Sequence, residues 1–129
     1  MAVETDDERL ARWHRCVMER DMDGLREFLA EDVQFRSPVF WKPKQGREAA
    51  MEILGTVIDV FEDFRYHREG LRDDAWALEF SAHVGDTQLK GMDLIQFDDR
   101  GRIVDFEVLI RPANALQAVG QEMARRLGG

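Results

Sequence analysis

Cysteine and histidine are scarce in this sequence. The single cysteine, Cys16, has no partner for an internal disulfide, and the three histidines are too scattered to match metal-binding spacings such as HxxxH or CxxC. A chain of 129 residues is long enough to bury a core without disulfides or a structural metal. We therefore expect no metal site and no cofactor.

Basic clusters and long apolar runs are also missing. The net charge is −8, and the densest basic pair is Arg125-Arg126, so we expect no nucleic acid partner and no anionic membrane surface. The N-terminal stretch MAVETDDERLARWH carries acids where a secretory signal carries basic residues, and no apolar run reaches membrane-spanning length. The sequence predicts a cytoplasmic protein that is one domain over residues 1–129, because it has no linker or internal repeat.

The stretch from Leu89 to Pro112 predicts a long β-hairpin. Two apolar runs flank the quartet Asp98-Asp99-Arg100-Gly101, whose glycine supplies the left-handed conformation of a short turn. Strict alternation places Asp93 on the same face as Leu89, Ile95 and Phe97. A carboxylate on a face that otherwise belongs to the core is the first candidate for a functional residue.

The order of periodic patterns predicts an α+β domain. One amphipathic helix with a broad apolar stripe, residues 50–61, precedes a run of four strands, so we expect a curved antiparallel sheet that wraps around this helix and leaves a conical hollow. The remaining elements are predicted as helices near residues 5–20 and 25–29, strands near 33–36, 64–71, 76–84, 89–97 and 104–111, and a closing helix from Pro112 to residue 127.

This order and three segments resemble the SnoaL-like branch of the nuclear transport factor 2-like superfamily over nearly the whole chain. The segments are DMDGLREFLAEDVQFRSP, GREAA and KGMDLIQFDDRGRIVDFEVLIRP. The resemblance implies a cone-shaped, cystatin-like fold. The superfamily includes ketosteroid isomerases, polyketide cyclases, scytalone dehydratase, limonene epoxide hydrolase and members without known activity, so the fold alone does not give the chemistry.

The resemblance assigns possible catalytic roles residue by residue. Asp93 matches the aspartic acid that ketosteroid isomerases hold neutral in an apolar site. Ser37 stands where those enzymes carry the aspartate base, and Trp13 where they carry a tyrosine, so steroid isomerase activity is not expected. Compared with polyketide cyclases, Asp93 matches the general acid/base. His83 matches an assisting histidine, but alternation turns it outward unless a β-bulge shifts the register.

Aromatic and apolar residues suggest a lining for a flat apolar ligand. The loop between Pro38 and Pro43 lacks a helical period, and we interpret it as the rim of the hollow. The predicted ligand-binding residues are Trp13, His14, Phe40, Trp41, Tyr66, Trp76, Phe80, Phe106 and Val108. The alternative is that these side chains only fill the core, as a packed chain of this length requires.

Two function classes remain open at this point. The first is a cofactor-independent isomerase, cyclase or dehydratase that uses Asp93 as general acid/base on a polyketide- or steroid-like substrate. The second is a non-catalytic ligand-binding or dimerisation module, with Asp93 satisfied by Tyr66, Trp13 or Arg36. We also expect a homodimer through the outer sheet face, because Met92 and Leu94 would otherwise leave apolar side chains in water.

Overall fold

A computed structural model describes residues 4–72 and 74–128. The helices and strands within these ranges are, in chain order, α1 (Asp6–Met18), α2 (Met22–Phe28), β1 (Leu29–Arg36), β2 (Lys44–Gln45), α3 (Arg47–Val60), β3 (Glu62–Leu71), β4 (Ala75–Val84), β5 (Thr87–Phe97), β6 (Ile103–Arg111) and α4 (Ala113–Leu127). None of these helices is long and apolar enough to cross a membrane. The predicted α+β order is confirmed, and β2 is the strand that the sequence pattern did not indicate.

The strands of the described residues form one curved, mixed sheet with the order β2-β1-β6-β5-β4-β3. The run from β3 to β6 is the predicted antiparallel meander, with Gly85 at φ 58° in its second turn and Gly101 at φ 77° in its third. The predicted curved sheet is confirmed, and its antiparallel pairs are joined by one parallel pair, β1 with β6. The segment between these two strands contains β2, α3 and β3 to β5, so their pairing joins distant parts of the chain and short-range patterns do not report it.

Helices α1, α2 and α3 cover one face of the sheet. The large buried side chains between them include Trp13, Leu25, Phe28, Phe35 and Phe106. Helix α3 contacts β1 and α4, and α4 also contacts β5 and β6. The space between α3, α4 and the sheet is partly unfilled.

A β-bulge changes which residues of β6 face inward. The pairing with β5 runs from Lys90↔Arg111 to Gln96↔Asp105, and the register then shifts so that Phe97 is opposite Ile103. Ile103 is therefore fully buried and Val104 is only partly buried. Strict alternation from the buried Phe106 would instead place Val104 inward. An extra residue in one strand of a pair turns the following side chains over, which a pattern of period two does not anticipate.

Candidate functional site

Asp93 lies in the middle of β5 with its side chain on the inner face. Its neighbours across the sheet are Leu78 on β4 and Val108 on β6. Alternate residues of β5, including Gly91 and Ile95, are buried with it, and Asp93 itself is 6% exposed. The inward position predicted from alternation is thus present in the structure.

A chain of hydrogen bonds connects α1 to this carboxyl group. The Trp13 indole Nε1–H donates to Tyr66 Oη at 2.9 Å, and the Tyr66 hydroxyl donates to Asp93 Oδ2 at 3.3 Å. An indole N–H can only donate, so the Tyr66 oxygen accepts from Trp13 and its one proton is directed at Asp93. Trp13 therefore fixes the orientation of the Tyr66 hydroxyl, and within residues 4–72 and 74–128 no hydrogen bond engages Oδ1 of Asp93.

Burial is the largest influence on the pKa values of Asp93 and Tyr66. It raises the pKa of Asp93 to about 7, although the hydrogen bond from Tyr66 acts in the opposite direction. Burial and the nearby Asp93 carboxylate raise the pKa of Tyr66 well above its usual range, so the phenol stays protonated. Near neutral pH, Asp93 is present in both its acid and its base form beside a permanent donor.

Asp93 and Tyr66 open into a mostly apolar cavity of about 580 Å³. Its walls are the inner faces of β1, β3, β4, β5 and β6 and the facing sides of α3 and α4. The loop 37–43 and the end of α1 contribute exposed lining residues and border its mouth. Several of the predicted site residues line it, namely Trp13, Ser37, Phe40, Tyr66, Asp93, Phe80, Phe106 and Val108. No group of three or more His, Cys, Asp or Glu side chains within the described ranges could hold a metal ion.

Ser37 borders the cavity where β1 ends. Its Oγ accepts a hydrogen bond from the Val39 backbone N–H at 3.0 Å, which orients the side chain. A hydroxyl that accepts in this way keeps its own proton for another partner. Ser37 can therefore donate to a ligand, but no neighbouring base is hydrogen-bonded to it within the described residues.

His83 lies outside the cavity, contrary to its predicted catalytic place. The pairing of β4 with β5 is regular from Ala75↔Gln96 to Val84↔Thr87, so no bulge turns His83 inward. The irregularities are in the pairing of β3 with β4 instead. The His83 ring binds the Gly85 carbonyl at 2.9 Å and the Asp63 carboxylate at 2.7 Å, and the bond to Asp63 raises the pKa of His83.

Three predicted ligand-binding residues are also absent from the described cavity wall. Trp41 is 97% exposed and points into solvent, because the loop presents Val39 and Phe40 to the cavity instead. Trp76 is buried in the core against Phe97, with ring centroids 4.6 Å apart. His14 stacks on Tyr66 with ring centroids 4.8 Å apart and binds Glu69, so it supports the tyrosine from the side away from the ligand space.

The structure adds wall residues that the sequence did not indicate. They lie on α3 and α4 and at the mouth, and include Ile53, Val57, Val119, Met123, Lys42 and Lys44. The residues from α3 and α4 belong to the apolar sides of these helices, which a packed core would also require. The apolar faces of α3 and α4 line the cavity because the space between them is not filled. The sequence pattern of such a face is the same whether it packs in a core or lines a cavity.

Asp93 should make stability depend on pH between about 4 and 7. Its pKa is higher in the folded protein than in the unfolded chain, so its contribution is fully present below the unfolded pKa and is lost as pH rises through about 7. This pKa shift corresponds to a decrease in the free energy of unfolding on the order of 4 kcal/mol across the window. We expect urea unfolding of Asp93→Asn to show a flatter dependence than the wild type across this window.

The matched control is Asp99→Asn in the exposed β5–β6 turn, which should follow the wild-type curve. His83, whose pKa is raised by Asp63, titrates equally in all three proteins and cancels in the comparison. Parallel curves for wild type and Asp93→Asn would show that Asp93 ionises at ordinary acidic pH.

Comparison with known proteins identifies one family model and several solved structures. The model of the SnoaL-like domain matches residues 10–106. A crystal structure of a steroid delta-isomerase from Pseudomonas aeruginosa is 52% identical, with a TM-score of 0.89 over 92% of this chain and 88% of that chain. An uncharacterised protein with a cystatin-like fold from Silicibacter pomeroyi DSS-3 is 38% identical, with a TM-score of 0.88 over 92% and 84% of the two chains.

A more distant structure is similar in fold alone. The epoxide hydrolase/cyclase-like enzyme SalBIII, which acts in pyran ring formation in the polyether salinomycin, is 19% identical with a TM-score of 0.68, over 84% of this chain and 92% of that one. No curated protein matches this chain.

Proposed function

Since the chain belongs to the SnoaL-like domain family, we propose that it is a cofactor-independent enzyme of the isomerase, cyclase or dehydratase type. Its substrate is a polyketide- or steroid-like apolar molecule that carries a carbonyl group. Asp93 is the group that transfers the proton. The predicted SnoaL-like, nuclear transport factor 2-like fold is confirmed by the family match and the similar structures.

The observation that carries this proposal is a titratable carboxyl group in an apolar cavity. Burial raises the pKa of Asp93 to about 7. A general acid/base is most effective when its pKa is close to the working pH, because it is then present in the correct form and still drives the transfer. Perturbed carboxyl groups inside clefts are typical of catalytic sites.

The neighbours of Asp93 have distinct roles in this proposal. Tyr66 donates to Oδ2 and stabilises the anion that forms when Asp93 gives up its proton. Trp13 positions Tyr66 from the far side. Ser37 supplies a hydroxyl donor to an oxygen of the substrate, as a second polar group in the same cavity.

The relatives narrow the reaction class to be tested. The 52% identical protein is a steroid delta-isomerase. An enzyme of this kind moves a C=C bond by proton transfer next to a carbonyl group. Ser37 stands in this chain where the resemblance to ketosteroid isomerases calls for an aspartate base. We therefore expect Asp93 to work without a second carboxylate. The substrate C–H should then be more acidic than that of a steroid enone precursor.

The test is deuterium incorporation next to the carbonyl group. The protein is mixed in D₂O with a Δ5-3-ketosteroid and, separately, with an aromatic β-diketone that mimics a polyketide. NMR should show exchange of the acidic C–H in the presence of wild-type protein that exceeds the rate in buffer. Because exchange reports proton abstraction alone, it does not depend on knowing the final product. Exchange at the buffer rate with both compounds, despite measured binding, would reject the catalytic proposal.

A non-catalytic binding module is the second candidate, and one observation favours it. The protons of Tyr66 and Trp13 are both used within the hydrogen-bonded chain, so they are not free for a substrate. If binding is found without exchange, Asp93 and its partners serve to hold a ligand or to fix the fold. The same assay therefore decides between the two candidates.

We keep a homodimer as part of the proposal. Met92 and Leu109 are direct cross-strand partners on the outer face of the sheet, where Leu109 is 47% exposed, and Leu94 lies further along the same strand. A charge at this position should block association, so Leu109→Glu is expected to give a monomer at micromolar concentration in light scattering. Gln121→Glu on α4 adds the same charge elsewhere and should leave a dimer. A monomeric wild-type protein would contradict the prediction.

A further inference from the structure

The mouth of the cavity carries basic side chains in an acidic protein. The net charge is −8, and Lys42 and Lys44 are two of three lysines in the sequence. Both belong to the cavity lining, together with Arg20. Within the described residues Arg20 pairs with Asp59 at 2.8 Å, whereas neither lysine is within 4.0 Å of a carboxylate. The two lysines are thus available to a ligand.

Strand pairing directs Lys44 toward the cavity face. Lys44 lies on the short edge strand β2, directly opposite Phe35 on β1. Residues directly opposite in an antiparallel pair have their side chains on the same face of the sheet. Phe35 is 2% exposed and lines the cavity, so Lys44 is on that same face. The hydrogen bond from Gly46 N–H to the Val33 carbonyl, 2.8 Å long, holds the strand in this register.

The acids of the same wall do not cancel this charge. Asp63 is bound to His83. Asp93 lies at the inner end, where burial raises its pKa to about 7. Glu52 on α3 is the remaining acidic group in the described lining, which also contains the two lysines. The apolar wall and the basic mouth therefore select for different parts of one molecule.

We propose that the ligand of this cavity is an apolar molecule with one acidic group, whose apolar body fills the space beside Asp93 and whose anion is held by Lys42 and Lys44. The proposal rests on the proposed function in using the same cavity, and it names the class of molecule that enters. The field of the basic mouth attracts such an anion to a protein that otherwise repels it. Lysine ammonium groups bind carboxylate or phosphate as point charges on flexible stems, so either acid satisfies the site.

The test compares two probes that differ by one charge, 1-anilinonaphthalene-8-sulfonate and neutral 1-anilinonaphthalene. Fluorescence titration should give the sulfonate the lower Kd in the wild type. Lys42→Gln/Lys44→Gln should raise the Kd of the sulfonate probe roughly fivefold to tenfold, as expected for the loss of two exposed ion pairs. The Kd of the neutral probe should stay within about twofold of its wild-type value. The control Arg72→Gln/Arg100→Gln removes two exposed cations outside this lining and should change neither probe.

Two further measurements locate the probe and define its acid. Nuclear Overhauser effects from the sulfonate probe to the methyl groups of Val57 and Val108 should place its rings inside the cavity. Dodecanoate and dodecyl phosphate should displace the sulfonate probe, and the uncharged dodecan-1-ol should displace it more weakly. Whichever of the two acids displaces it at the lower concentration indicates the acidic group that the site prefers.

Equal affinities of the two probes in the wild type, or an equal loss for both in the lysine variant, would overturn the proposal and leave the lysines as protection of the β2 edge. This outcome is independent of deuterium exchange, which depends on Asp93 and not on the lysines. An active enzyme that does not distinguish the probes would refute only the ligand class, and an inactive protein that prefers the anion would refute only catalysis.

Discussion

Asp93→Asn is expected to lower kcat by a factor of roughly 10² to 10⁴, the usual contribution of a general acid/base. The amide has nearly the same size as the carboxyl group and can still hydrogen-bond to Tyr66, but it cannot exchange a proton with the substrate. We therefore expect Kd for the substrate to change by less than about threefold while turnover is lost. Loss of kcat with retained binding is the pattern of a group that acts in the transition state.

Tyr66→Phe and Asp99→Asn are the matched comparisons for this result. The first removes the hydroxyl 3.3 Å from Asp93 and keeps the ring, so the pKa of Asp93 should rise further and the activity profile should move to higher pH. The second changes an exposed carboxyl group of the β5–β6 turn and should have no effect. Turnover within about fivefold of wild type for Asp93→Asn would exclude proton transfer by this residue.

Gly91→Ala is expected to destabilise the protein by about 3 kcal/mol, the upper part of the range for overpacked cores. A Cβ at Gly91 would lie 2.3 Å from Cζ of Phe80 and 2.6 Å from the Leu109 carbonyl oxygen. The carbonyl belongs to β6 of the same sheet. The Phe80 ring is fully buried between Phe61 and Phe64, with centroids 5.6 and 5.1 Å away. Neither neighbour can move without disturbing the sheet or narrowing the cavity that Phe80 lines.

Gly70→Ala provides the control for this substitution. Gly70 is also a strand glycine, on β3, but a Cβ there meets nothing within 4 Å. We expect its free energy of unfolding, measured in urea, to stay within about 0.5 kcal/mol of the wild type. Equal destabilisation at both positions would mean that a general strand effect, and not the contact with Phe80, is responsible.

Periodicity in the sequence determined the elements and the inward position of Asp93. The alternation of β5 requires every second side chain to face the same way, and the apolar neighbours of Asp93 identify that face as the inner one. The turns at Gly85 and Gly101 were predictable because positive φ is inexpensive only for glycine. The family resemblance likewise depended on segments that are continuous in the chain.

Tertiary structure decided how these elements meet and which side chains reach the cavity. The parallel pairing of β1 with β6, the bulge at Ile103 and the regular pairing that holds His83 outside depend on contacts between distant segments. The hydrogen-bonded order Trp13, Tyr66, Asp93 joins residues 53 and 27 positions apart. The basic mouth arises in the same way, because pairing of β2 with β1 places Lys44 on the face of Phe35. Local sequence sets the face of each strand, whereas the partner of each side chain follows from packing, which depends on the whole chain at once.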